Sequence, residues 1–296
     1  MNKQGYGYFC LILATLFWGG NYIFGKILSQ DLHPIILNYS RWYPAAVVML
    51  LLFYKRLTPY RAEIYKSWKI ITALAILGII IFPVFTYQGL TSTSALNSSI
   101  YLAVVPIVVI FINRLVFGDP IRSTALIGAI VSFLGVLWLL SRGELSNLLA
   151  LDINRGDLWA MGAALAWALY CCIIRLRPAL LPNSVFLTCL ITSAMLLFTP
   201  IFLYVYLQTD IPIYSAFTTE QWEIIAYLII GPSILSYAFW NYGISVVGGE
   251  KGAVFTNTTP LFAAALSILI LGESLYIYHI ISAILIVIGL LLCNRK

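Results

Sequence analysis

Apolar residues run through this chain in stretches of about twenty, each closed by a short cluster of charged, Gly or Pro residues. At about 1.5 Å of rise per residue, a helix of that length crosses roughly 30 Å of hydrocarbon. The stretches fall at 8–28, 35–54, 68–88, 94–115, 121–140, 156–176, 184–206, 222–244, 249–271 and 277–293. They lack the inward-polar, outward-apolar alternation of a membrane barrel, so the pattern predicts an all-α membrane protein of ten transmembrane helices.

The pattern also repeats. Gly89, Pro106, Gly118, Asp119 and Gly135 precede Gly243, Pro260, Gly272, Glu273 and Gly289 by 154 positions, and Trp68 precedes Trp222 by the same offset. Trp18 and Lys26 match Trp167 and Arg175 at 149, so five residues are added in the second copy between the sixth and eighth spans. Because five spans per copy is an odd number, the second copy is expected upside down, the inverted-repeat construction of secondary transporters. The expected divisions are a first repeat over 1–140, an external linker over 141–155 with a short surface helix about Leu145–Leu151, and a second repeat over 156–296. Short connections around 91–93 and 246–248 make two hairpins that open to opposite sides and are candidate gates.

Only 9% of the 296 residues are charged and 61% are hydrophobic, with a mean hydropathy of +0.95, which excludes a soluble domain. Cytoplasmic loops carry the excess of Lys and Arg. With the N-terminus inside, Lys26, Arg41, Arg142 and Arg155 alone among the 17 basic residues fall on the outer side, so both termini are expected in the cytoplasm. The net charge of +6 then reflects topology and contact with the lipid bilayer, and calls for no nucleic-acid partner. The first span has no small-x-small cleavage site and is expected to stay attached.

Cys10, Cys171, Cys172, Cys189 and Cys293 all lie inside spans, with neither metal-ligand spacing nor a disulfide framework, and are read as packing residues. No phosphate-binding loop, zinc-protease or nucleophile-elbow motif occurs, and His33 and His279 stand in a loop and at a span boundary. Neither catalysis nor a cofactor nor a metal is expected, and oligomeric state leaves no mark on the sequence.

Depth selects the polar residues that matter. Trp18 and Trp167 each lie about 15 Å along a span, near the midplane, where interfacial belts do not reach. Asn21 and Tyr22 share the helical face of Trp18, and Tyr170 that of Trp167. Such a face lines either a wet cavity or a packed aromatic core. Trp42, Tyr43, Tyr54, Tyr60, Tyr65, Trp68, Trp222, Tyr276 and Tyr278 suit an interfacial belt.

Pro106 and Pro260, halfway along spans four and nine, free the carbonyls of Leu102 and Thr256 and mark helix kinks. Asn97 and Tyr101 lie beside the first and Asn257 beside the second, so each kink is a polar site, a hinge or a packing bend. Tyr87, Trp240, Asn241 and Tyr242 close spans three and eight, as site residues or as a belt. Lys26 and Arg41 are the basic residues within spans on the outer side, able to snorkel to the interface or to receive a carboxylate. No acidic residue lies at mid-depth, which disfavours a proton-coupled antiporter of cationic drugs.

LFWGGNYIFGK in span one, HPIILNYSRW entering span two, SALNSSIYLAVVPIVVIFINRLVFGDPI through span four and GEKGAVFTNTTPLFAAALSILILGESL through span nine resemble the drug/metabolite transporter superfamily, and within it the EamA family of ten-helix carriers. Asp119 departs from the Glu usual in the first copy. The resemblance implies a central cavity walled by helices 1–4 and 6–9, with helices 5 and 10 peripheral, and implies that Trp18, Asn21, Tyr22, Tyr101, Trp167, Tyr170 and Asn257 face it. It implies a carrier of small-molecule solutes in the bacterial inner membrane, with export of amino acids or related metabolites the leading expectation. The rivals are movement of a phosphorylated or carboxylated metabolite read by Lys26 and Arg41, and a lipid-handling or scaffold protein that moves no solute.

Overall fold

The computed structural model describes residues 3–93, 98, 101–144, 146–149, 154–208, 217–271 and 274–294. All regular structure among them is helical. Among the described residues, nine helices are long and apolar enough to cross a membrane, with a shorter apolar helix between the third and fourth of them. In chain order the ten are α1 (Lys3–Asp31), α2 (Pro34–Leu57), α3 (Trp68–Ser92), α4 (Val105–Phe117), α5 (Ser123–Leu140), α6 (Arg155–Leu176), α7 (Asn183–Gln208), α8 (Thr219–Val247), α9 (Gly249–Leu269) and α10 (Ile277–Asn294). The linker carries one helical turn, Ser146–Leu149. Asn97 and the start of the fourth expected span lie outside the described residues.

Local chemistry sets the helix ends. Asn154 with Asp157, and Thr218 with Gln221, form reciprocal capping boxes that satisfy orphan N–H groups at the starts of α6 and α8. His33 accepts from the Ile35 N–H at 3.3 Å just before Pro34, a residue that fits the first helical turn. Gly118 closes α4 with φ 72°, and Gly248 turns α8 into α9 with φ 95°, both backbone states that penalise a Cβ.

α1 packs on α8 and α9, α6 packs on α3 and α4, α2 packs on α7, and α5 packs on α10. Exchanging each helix with the one five places on maps this set of contacts onto itself. Without a hydrophobic drive between helices in lipid, close backbone approach supplies the association. At the α5–α10 crossing, a Cβ on Gly128 would lie 2.6 Å from the Gly289 carbonyl, and one on Gly289 would lie 2.6 Å from the Gly128 carbonyl. A Cβ on Gly19 of α1 would likewise lie 2.9 Å from the Ala263 nitrogen.

The sequence pattern did not reveal a pair of widened turns. Ile76–Ile81 in α3 and Ile229–Leu235 in α8 are π-helical, and the repeat offset of 154 superposes them. Pro83 follows the first just after Phe82 and Pro232 lies within the second, and the missing N–H of each frees a carbonyl four residues back. Asn38 Nδ2 takes the Ile79 carbonyl at 3.0 Å, and Ser233 Oγ takes that of Leu228 at 2.7 Å. The turns expose further carbonyls: Gly78 accepts from the Tyr237 hydroxyl and Pro232 accepts from Trp18 Nε1 at 3.2 Å. Buried backbone acceptors are thus satisfied by side chains that converge on the bundle centre.

Pro106 and Pro260 stand in the first turns of helical segments resumed after a break. The breaks lie upstream, at Val104 and at a 3₁₀ turn over Val254–Asn257, as expected where proline cannot continue a preceding helix. Trp42, assigned to the belt from its place in the sequence, is instead fully buried, edge-on to Tyr237 at 5.0 Å. Tyr43, Tyr54, Tyr65, Trp68, Trp222 and Tyr276 are exposed, as a belt requires. The five cysteines are free and buried.

Candidate solute-binding cavity

Trp18 and Trp167 meet at the centre. Their rings are 5.0 Å apart and perpendicular, with 8% and 1% of each residue exposed, so neither faces lipid. Tyr237 and Trp240 pack edge-on or tilted against Trp18 at 5.7 and 5.1 Å, Tyr170 stacks on Trp167 at 4.9 Å, and Phe82 lies against Trp167 at 4.8 Å. Perpendicular and offset aromatic contacts of this kind contribute about 0.5–1.5 kcal/mol each beyond area burial.

This cluster forms one wall of a cavity between the halves. Trp18, Asn21 and Tyr22 of α1, Arg41 of α2, Phe82, Pro83, Thr86 and Tyr87 of α3 and Leu102 come from the first half of the chain, and Trp167, Tyr237, Thr256 and Thr259 from the second. They border about 490 Å³ of atom-free space, a volume that includes space open to solvent.

Arg41 is the one formally charged residue in this lining. It is 3% exposed, so it does not snorkel to an interface. Nε donates to Ser233 Oγ at 2.9 Å, while Nη1 donates to Asn21 Oδ1 at 2.8 Å and to the Tyr87 hydroxyl at 2.5 Å. Tyr87 in turn donates to Asn21 Oδ1 at 3.0 Å. Ser233 is held by the carbonyl that Pro232 frees, so the widened turn of α8 positions the guanidinium. Its face lies over the rings of Trp42 and Tyr87, 5.2 and 5.9 Å from their centroids. The positions 149 and 154 later, Leu190 and Met195, are uncharged, and in the second copy Arg177 donates Nη1 to the Asn241 carbonyl at 3.0 Å.

The expected site residues divide. Trp18, Asn21, Tyr22, Arg41, Tyr87, Trp167 and Thr256 converge on the cavity. Lys26 does not, because its Nζ donates to the Leu90 carbonyl at 2.8 Å and caps the end of α3. Tyr170 and Asn241 pair with each other at 2.6 Å, while Trp240 is buried in the aromatic cluster. Tyr242 packs edge-on against Tyr6 near the surface. Asn257 donates to Ser132 Oγ of α5 at 3.0 Å, away from the cavity wall, and Tyr101 is half-buried outside it. Phe82, Pro83, Thr86, Leu102, Tyr237 and Thr259 were missed. The repeat offset held one signal, since Pro83 and Tyr237 are 154 apart.

At one end of the bundle, Arg175 binds Asp119 at 2.5 Å and Arg122 binds Glu250 at 3.2 Å. Each pair joins one half of the chain to the other. Cys171 and Cys172 line the polar recess that these residues surround.

The chain matches the EamA-like transporter family twice, over residues 5–141 and 154–295. YyaM of Bacillus subtilis (strain 168), described as an uncharacterized transporter, is 25% identical over 287 residues that cover 96% of this chain and 92% of the relative. An uncharacterized transporter of Archaeoglobus fulgidus is 27% identical over 289 residues, covering 97% and 96%. A solved crystal structure superposes with a TM-score of 0.75 over 97% of this chain and 95% of its own, and at 17% identity it shares the fold. A helical bundle with a central polar-aromatic cavity, matched in both halves, places this chain in the EamA-like transporter family.

Proposed function

We propose that the protein is a secondary transporter that exports small metabolites, amino acids foremost, across the bacterial inner membrane by alternating access. Its two repeats would be inverted relative to each other, with both termini in the cytoplasm. The observation that carries this reading is the cavity between the halves, walled by Trp18 and Trp167, residues that occupy equivalent positions in the two copies. Small-molecule sites combine apolar walls with a few polar anchors, and Asn21, Tyr22 and Arg41 supply the anchors here. The helix contacts, which exchange under the repeat, support a motion in which one half rocks against the other around that site. The ion pairs Asp119–Arg175 and Arg122–Glu250 would then latch one end shut.

A phosphorylated solute gripped jointly by Lys26 and Arg41 is less well supported, since Lys26 is engaged by the Leu90 carbonyl and is absent from the cavity wall. Counterflow of labelled amino acids in proteoliposomes, without ATP, tests the proposal. Flux that falls at least about tenfold in Trp18→Ala and Trp167→Ala, from the loss of apolar wall area, is the expected result. Intact protein that moves no amino acid would remove this substrate class.

A further inference from the structure

We infer that Arg41 and Tyr22 form a receptor for the carboxylate of a solute with an apolar or aromatic body. This assignment rests on the carrier reading above and names the chemistry its cavity selects.

A guanidinium taken out of water is normally matched by an anion, because leaving it unpaired forfeits its hydration. Among the described residues Arg41 has no such match: the two ion pairs lie elsewhere, and no Asp or Glu lines the cavity. Its three hydrogen bonds run to neutral oxygens and use Nε and Nη1. Nη2 donates to none of the described residues, yet it is not among the sealed polar atoms that lack a partner. Among the described residues Nη2 thus has no acceptor, in a side chain that lines the cavity.

A second group points the same way. Tyr22 lines this cavity, and its hydroxyl is sealed from solvent with no hydrogen-bond partner among the described residues. A buried hydroxyl left unpaired is costly, and such groups in native structures call for an explanation. A carboxylate oxygen that accepts from Tyr22 while the other accepts from Arg41 Nη2 would satisfy both and neutralise the cation. Asn21, Tyr87 and Ser233 already fix the guanidinium, so little ordering remains at binding. The rest of the wall, Trp18, Phe82, Trp167 and Tyr237, offers aromatic faces and no anion. An ammonium group would find only those faces and amide or hydroxyl oxygens, so a positive charge is tolerated at most and the carboxylate is required.

The purified full-length chain in detergent tests this with three probes of one shape: 3-phenylpropionate, its amide and phenethylamine. Thermal shift and tryptophan quenching report binding. Expected is binding of the carboxylate roughly 10–100-fold tighter than of the amide or amine, the range for hydrogen bonds to a charged group. Arg41→Gln should erase that preference. Tyr22→Phe, which removes one oxygen and keeps the ring, should weaken the carboxylate alone by roughly 3–10-fold. If the amide binds as well as the acid, or if folded Arg41→Gln keeps the preference, the receptor assignment is wrong and the carrier reading stands. If none of the three probes binds to intact protein, both are overturned. The wild-type comparison needs no variant to fold.

Discussion

Tyr170 donates its hydroxyl to Asn241 Oδ1 at 2.6 Å, and the equivalent positions in the first copy, Asn21 and Tyr87, make the same bond with donor and acceptor exchanged between helices. The duplicated scaffold thus keeps an Asn–Tyr bond between its first and third helices in each half. In one half the bond holds Arg41 at the cavity lining, and in the other the pair is fully buried, with Arg177 donating to the Asn241 carbonyl at 3.0 Å. Tyr170→Phe keeps the stack on Trp167 but leaves Asn241 Oδ1 without its donor. A stability loss of about 1–3 kcal/mol is expected, read as a lower unfolding temperature, with solute affinity unchanged.

The α5–α10 crossing predicts a loss of similar size from a different cause. A methyl on Gly128 would overlap backbone atoms of α10, which cannot rotate away as a flexible side chain does. Gly128→Ala should cost about 1–3 kcal/mol by overpacking. Thermal unfolding in detergent measures it, and a fall no greater than that of an Ala change on an exposed face would contradict the packing argument.

The two ion pairs are half-exposed, so each should contribute no more than about 1 kcal/mol to stability. Their proposed effect is on conformation. In a background retaining only Cys171 and Cys172, Arg122→Ala with Arg175→Ala should speed labelling of these buried thiols by a maleimide severalfold. Exchanging Asp119 and Arg175 should restore the slow rate. Labelling indifferent to all of these changes would dismiss the latch.

His33, between α1 and α2, yields a pH effect. Burial holds its imidazole below the ordinary value of about 6.5, and the ring nitrogen that caps α2 must be unprotonated to accept. The unfolded chain binds that proton more readily than the folded one. Stability is therefore complete above about pH 6.5 and is lost as pH falls toward the lower folded value. His33→Asn, which caps without titrating, should flatten this part of the stability curve of wild-type protein.

The helical frame was legible because continuous apolar runs and glycine-proline punctuation leave little choice in lipid. α6, expected over 156–176, spans Arg155–Leu176, and α8, expected over 222–244, spans Thr219–Val247. Trp18 and Trp167 were legible from depth alone. The surroundings of Arg41 were not. A basic residue seven places into α2 is equally able to reach an interface or turn inward, and the decision falls to Ser233 and Tyr87, brought by α8 and α3. The π turns that place Ser233 and Gly78 leave no periodic signal, since one widened turn barely shifts an apolar stripe that covers every face. Tyr237 was missed for the same reason.

Arg41 also lacks a twin. In the proposed carrier, identical inverted copies would make the inward-facing and outward-facing forms of the empty protein equivalent by a two-fold rotation and equal in free energy. A positive charge at the cavity lining, answered at the equivalent positions by leucine or methionine, would remove that degeneracy. The vacant protein would then have a resting side, and a cargo that neutralises the guanidinium would reduce the bias as it boards.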